Sequence, residues 1–151
     1  MYSVSMMDTS SILGSSSALV TFTLERSAVS FVQMAAVKPV VFGGKQAKVR
    51  LVKTPTYPMN RVLERGIFER GYTRVVVVEN IQNPVLMEGI VKDLVAVQMT
   101  ENVVGWSAKD GDLVINFTSV AAANRGYEFI AQSPVYRELD LHWGKDPCDS
   151  Q

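Results

Sequence analysis

A strand, helix, strand pattern occurs twice along this chain of 151 residues, and that repetition constrains the fold more than any other feature. In the first half, Ala18-Leu19-Val20-Thr21-Phe22 has the apolar, β-branched character of a short strand. The small and apolar residues from Ser27 to Ala36 then suit a helix. Gly43-Gly44 marks a turn, and Ala47-Lys48-Val49-Arg50-Leu51 alternates as a half-buried strand does. In the second half, Leu113 to Phe117, Val120 to Ile130 and Leu139 to Trp143 repeat the same order, with Phe22 falling on Phe117.

The second unit is preceded by the pieces that complete it. Arg74-Val75-Val76-Val77-Val78 is a β-branched run ending at Asn80, and Asn83-Pro84 opens a predicted helix through Val95. Val103 to Trp106 supplies another strand, and Lys109-Asp110-Gly111 a hairpin turn. Residues 73–148 therefore read as one complete βαββαβ module of the α/β class, in its α+β ferredoxin-like form. Residues 1–53 read as a truncated copy, with a second strand at Tyr2 to Met7 and a Ser-rich loop but no first strand or helix. In this topology the first strand lies between the third and the fourth, so its absence removes the centre of the sheet. Either the chain is a piece of a longer protein or something else fills the gap. Residues 54–72 form a linker: Thr54-Pro55-Thr56-Tyr57-Pro58 stops the preceding strand, and Met59 to Arg70 has helical composition with Val62, Leu63, Ile67 and Phe68 on packing positions.

With 47% hydrophobic and 20% charged residues the chain can bury a core. The first twenty residues hold no Lys or Arg, and no apolar run approaches the roughly 18 residues that span a bilayer, so neither signal peptide nor membrane span is expected. A single cysteine, Cys148, makes no internal disulfide, and a reducing compartment, cytoplasm or nucleus, is the expectation. The net charge of zero conceals a split. Residues 1–72 carry nine bases against four acids, whereas residues 73–151 carry six against eleven. A polyanion is drawn to the first half and repelled by the second.

Two segments carry a resemblance. Val76-Val77-Val78-Glu79-Asn80-Ile81 and Asp110 to Phe117 look like the six- and eight-residue signatures of an RNA recognition motif (RRM), with Val77, Asp112 and Val114 where the base-stacking aromatics would stand. The stretch from Lys53-Thr54-Pro55 to Gly71-Tyr72-Thr73-Arg74 looks like a proline-containing helical linker between such modules. Together with Val114 to Ala121, Pro134 to Arg137 and the closing Gly144-Lys145-Asp146-Pro147-Cys148, it resembles the tandem RRMs of fungal negative-regulator-of-differentiation RNA-binding proteins. The resemblance implies a non-enzymatic protein with no cofactor that binds mRNA as single strands and acts in post-transcriptional regulation.

Strand alternation lists the sheet faces. Leu113, Ile115, Phe117, Leu139, Leu141 and Trp143 should point inward, leaving Val77, Glu79, Asp112, Val114, Asn116, Asp140 and His142 on the open face. Its three carboxylates repel phosphate. In the first unit Ser17 and Leu19 occupy the stacking positions, and Lys48 and Arg50, with Lys53 just beyond, offer cations. The candidate RNA-contacting residues are Lys48, Arg50, Lys53, Arg74, Val77, Asn116, His142 and Lys145. The alternative is a protein-interaction module or homo-oligomer that completes the truncated sheet in trans. His142, two residues from Asp140, lacks a partner nucleophile in any recognisable motif, and one Cys with one His makes no metal site.

Overall fold

The computed structural model describes residues 1–42, 44–52, 59–99 and 102–146, and the molecule is a mixed α+β protein built from small sheets and five α-helices. It divides into two compact units, Met1–Val20 with Met59–Gln151, and Thr21–Pro58.

The centre of the larger unit is a four-stranded antiparallel sheet in the order β6-β7-β5-β8, formed by β5 (Val75–Glu79), β6 (Val103–Lys109), β7 (Asp112–Phe117) and β8 (Asp140–Trp143). Chain order and spatial order differ because two helices intervene. Helix α4 (Pro84–Leu94) starts where the Asn83 side chain accepts the Val85 N–H, with Pro84 in its first turn, where the missing N–H is not needed. It runs on into a π-helical stretch, Val95–Met99. Helix α5 (Val120–Gln132) starts where the Ser119 hydroxyl accepts the Ala122 N–H at 3.1 Å.

Strand β7 alternates in burial as its sequence alternates in polarity. Leu113, Ile115 and Phe117 are fully buried, while Asp112, Val114 and Asn116 are half-buried. The register sets Val76 beside Ile115 and Trp143, and Val78 beside Leu113 and Leu141. This face packs against Met87, Ile90 and Leu94 of α4 and Ala122, Ala123 and Ile130 of α5 in one core, with Leu139, Leu141 and Trp143 at its margin. Fully burying one such side chain contributes roughly 1.5–3 kcal/mol.

Helix α3 (Arg61–Arg70) precedes this sheet, capped by the Asn60 side chain on the Val62 N–H and ended by Gly71 at φ 70°, a left-handed conformation that glycine adopts without strain. Gly66 lets the Tyr72 ring lie directly on the helix, where any Cβ would collide with Cδ2 and Cε2 of that ring. Tyr72 in turn stacks on Trp143, with centroids 4.4 Å apart, and Tyr127 of α5 stacks on Trp143 at 5.0 Å. An indole layered with two phenols thus ties α3, β8 and α5 together. The packing side of α3 is Leu63, Gly66 and Ile67. Contrary to the expectation from sequence, Val62 is 78% and Phe68 56% exposed, because the inward arc is centred on a glycine and leaves both outside it.

The N-terminal segment belongs to the larger unit. Strands β1 (Ser3–Met7) and β2 (Ser17–Thr21) form a two-stranded sheet, and the short helix α1 (Ser10–Leu13) lies between them in sequence. Ser3 bridges Ser119, the Val4 N–H donates to the Thr118 carbonyl at 2.9 Å, and the Val120 N–H donates to Tyr2 at 3.1 Å.

The smaller unit holds helix α2 (Glu25–Val37) and a minimal hairpin, β3 (Val41–Phe42) with β4 (Lys45–Gln46). Phe22 and Phe31 approach at 5.5 Å, and no residue of α2 is buried. The strand expected at residues 47–51 does not form. A strand is held by its ladder, and among the described residues this segment is paired only at its start, where the Ala47 N–H donates to the Val40 carbonyl at 2.7 Å.

Two outcomes follow from this packing. Replacing a helix-interior glycine by alanine normally gains about 1 kcal/mol, but a Cβ on Gly126 would stand 2.5 Å from Phe117 Cζ. Gly126→Ala is therefore expected to lower the urea midpoint by the equivalent of about 1–3 kcal/mol. Gly89→Ala, whose Cβ meets only the Tyr136 hydroxyl at 3.5 Å, is expected to hold or raise it. The Tyr136 hydroxyl, in the turn after α5, donates to Asp93 Oδ2 at 2.6 Å, and burial together with that carboxylate pushes its pKa up to about 12. The fold favours the neutral phenol, so this stabilisation is complete below the ordinary value of 10.0 and is lost as pH rises through about 12. Denaturation of Tyr136→Phe across that range should show a shallower decline with pH than the parent.

Candidate nucleic-acid interface

The face of the sheet opposite the helices brings together three of the sequence-predicted residues. Val77 lies opposite Val114 on one side and His142 on the other, and Asn116 lies opposite Val75. Val77 is 8% exposed and Asn116 half-buried, so the centre of this face is filled by a small side chain enclosed by its neighbours. His142 is exposed, and its Nδ1 stands 3.3 Å from Glu79 Oε1. Its carboxylate neighbour is thus Glu79 across the β5–β8 ladder, while Asp140, two residues along the same strand, is itself opposite Glu79. Asp112 Oδ1 accepts the Asn80 N–H at 3.1 Å, stabilising the left-handed Asn80 (φ 56°) that ends β5. Among the described residues the face therefore offers hydrogen-bonding groups, one histidine, three carboxylates and, opposite Asp112, Lys109, and no aromatic surface.

Arg74 is elsewhere. It is 8% exposed, and its guanidinium meets Asp146 in two parallel bonds, Nε to Oδ2 and Nη2 to Oδ1, each 2.8 Å. Nη1 also reaches the Phe117 carbonyl at 3.5 Å. Arg74 is thus a structural residue, corrected from its place among the RNA contacts: the fork geometry suited to a phosphate is occupied by a carboxylate from the same chain. Asp146 is 2% exposed.

The closing Gly144-Lys145-Asp146 acquires a physical reading from this pair. Gly144 continues the β8 ladder, its N–H bonding the Val75 carbonyl at 2.9 Å while Thr73 Oγ1 donates to its carbonyl at 2.7 Å. A Cβ there would stand 2.6 Å from Val75 Cγ1 and 2.8 Å from Val77 Cγ2, so glycine is required by close approach. Lys145 points to solvent between two buried residues.

Lys48 and Arg50 are exposed on the segment after the hairpin of the smaller unit. Lys53 lies outside the described residues, as do Pro147 and Cys148. Sequence reasoning placed a helix over Met59 to Arg70 but did not single out its exposed side, on which Arg61, Glu64, Arg65, Phe68 and Glu69 lie together. The readable signal was Gly66 at the middle of the helix with a tyrosine six residues on, a small residue facing a large one, which fixes the opposite side as the exposed one. Among the described residues no three His, Cys, Asp or Glu side chains cluster as a metal site, and no helix is long and apolar enough to cross a membrane.

Comparisons with protein-family models, with curated proteins and with solved structures found no match.

The clasp yields a direct check. Asp146→Ala leaves the Arg74 charge in a buried site without its carboxylate and is expected to cost about 3–5 kcal/mol. Thermal melting of Arg74→Ala should fall as well. A variant of Arg74 that lost nucleic-acid affinity with an unchanged melting temperature would reverse the structural assignment.

Proposed function

We propose that this protein binds single-stranded RNA and performs no catalysis, on an RRM-type, ferredoxin-like module spanning residues 73–148. The observation that carries this reading is the strand order β6-β7-β5-β8, with α4 and α5 on one face and Asn116, His142 and Val77 on the other. That is the arrangement in which an RRM presents its sheet to RNA. The resemblance of the signature strands and of the closing Gly-Lys-Asp segment to fungal tandem RRMs supports it. Affinity through this face is modest, since Val77 and Val114 replace the rings and Glu79, Asp112 and Asp140 oppose phosphate. Electrostatic attraction comes instead from exposed cations, among them Lys48, Arg50 and Lys145. By this reading the protein acts on mRNA in the cytoplasm or nucleus.

A second reading, a protein-interaction module, draws on one observation. Strand β6 is an edge strand with Val104 65% and Trp106 45% exposed, and an unpaired edge beside apolar side chains accepts a strand from another chain.

Fluorescence anisotropy with a labelled random single-stranded RNA pool, at low and moderate salt, decides between them. RNA binding predicts retention at low salt. The double variant Lys48→Glu with Arg50→Glu should lose affinity and flatten the salt dependence by about 1.4, two phosphates at roughly 0.7 each. Absence of binding at low salt, with a chain mass in solution that rises with concentration, would support the interaction module and overturn the RNA reading.

A further inference from the structure

Helix α3 presents a face that the fold does not use. At 3.6 residues per turn, Leu63, Gly66 and Ile67 share one side, and these are the residues that are buried or half-buried. Arg61, Arg65 and Phe68 occupy the opposite pole, where Phe68 is 56% exposed. A lone exposed apolar residue carries little information, but the neighbours of this one do. Arg61 and Arg65, one turn apart, make no ion pair among the described residues, although Glu64 and Glu69 lie within helical reach of them. Among the described residues the helix thus holds two unengaged guanidinium groups and an aromatic ring on one exposed stripe, about 10 Å long by helical rise.

Stability does not account for this arrangement. A phenylalanine at the solvent pole buries little, and neither arginine meets the glutamate that its helical spacing offers. The stripe does match a ligand that alternates flat rings with negative charges. We propose that Arg61, Arg65 and Phe68 form a subsite for single-stranded RNA, in which Phe68 stacks one base and the two guanidinium groups hold the flanking phosphates. The subsite rests on the RNA-binding reading and supplies what the sheet lacks, a stacking surface beside positive charge. Glu64 and Glu69 lie at the margins of the stripe, some 60–80° round the helix from Arg61. There they repel phosphate from the sides and can accept hydrogens from a base amino group.

The test is an anisotropy titration of the full chain with a labelled single-stranded RNA pool. Phe68→Ala is expected to weaken binding about 5- to 150-fold. Phe68→Leu, which keeps apolar bulk without a π face, should weaken it comparably, and Phe68→Trp should retain it. Arg61→Gln with Arg65→Gln should lower the slope of log affinity against log salt by about 1.4. Because Phe68 lies outside the core, melting temperatures should hold, and the Leu variant keeps the test decisive if the Ala variant is less stable. Binding by the parent with unchanged affinity in the Phe68→Ala and Phe68→Leu variants would overturn the subsite while leaving the RNA reading intact. No binding by the parent would overturn both. A change in solution mass on Phe68→Ala, with RNA affinity preserved, would assign the stripe to a protein contact and overturn the proposal.

Discussion

The larger unit is organised by the burial of one strand on both faces and its pairing on both edges. Val76 and Val78 of β5 are fully buried towards the helices, and Val75 and Val77 are 3% and 8% exposed on the other side. A run of four valines is suited to that position, since a β-branched side chain packs on a pleated surface whichever way it points. The demands then propagate outward. β7 and β8 must both be in register with β5, and the chain leaving β8 must pass close to Val75 and Val77, which only Gly144 permits. That passage brings Asp146 to Arg74, at the entry of the same strand. One ion pair thus fastens the segment after the last strand to the residue before the first.

Much of this arrangement was legible in the sequence, and the failures share a cause. The alternation of β7, the helix opening at Asn83-Pro84 and the hairpin at Asp110-Gly111 depend on neighbours a few residues apart, so local pattern identifies them. The segment from Ala47 to Leu51 has an equally good alternating pattern yet forms no strand, because pairing is a property of two segments and, beyond the Ala47 bond to Val40, no described segment pairs with it. On α3, four apolar residues spread around most of the helix circumference, so periodicity could not choose a face. The choice was made by Gly66, a residue with no hydrophobic signal. Arg74 reads as an exposed cation ahead of a strand, and its partner is 72 residues away. Only the fold brings the two together, and with them the explanation of a terminal motif that sequence could recognise but not interpret.

The uncovered surfaces differ in character. On the sheet, Glu79 faces Asp140 directly, a like-charge pair that is destabilising by itself, and His142 Nδ1 stands beside Glu79. On α3, Arg61 and Arg65 form no ion pair among the described residues. The two surfaces therefore present opposite local fields on one unit. A ligand that approaches this unit is sorted by charge before it makes a contact.

The layering of Trp143 between Tyr72 and Tyr127 also bears on where the folding unit begins. Tyr72 stands three residues ahead of β5, and by position it belongs to a connector. By contact it is the outer sheet of a three-ring stack whose middle ring is in the last strand and whose inner ring is on the last helix. The cooperative unit thus extends back through α3 at least to Asn60, which caps it. A chain cut at the apparent boundary after Tyr72 would have every strand of its sheet and still expose one face of an indole that the intact protein encloses.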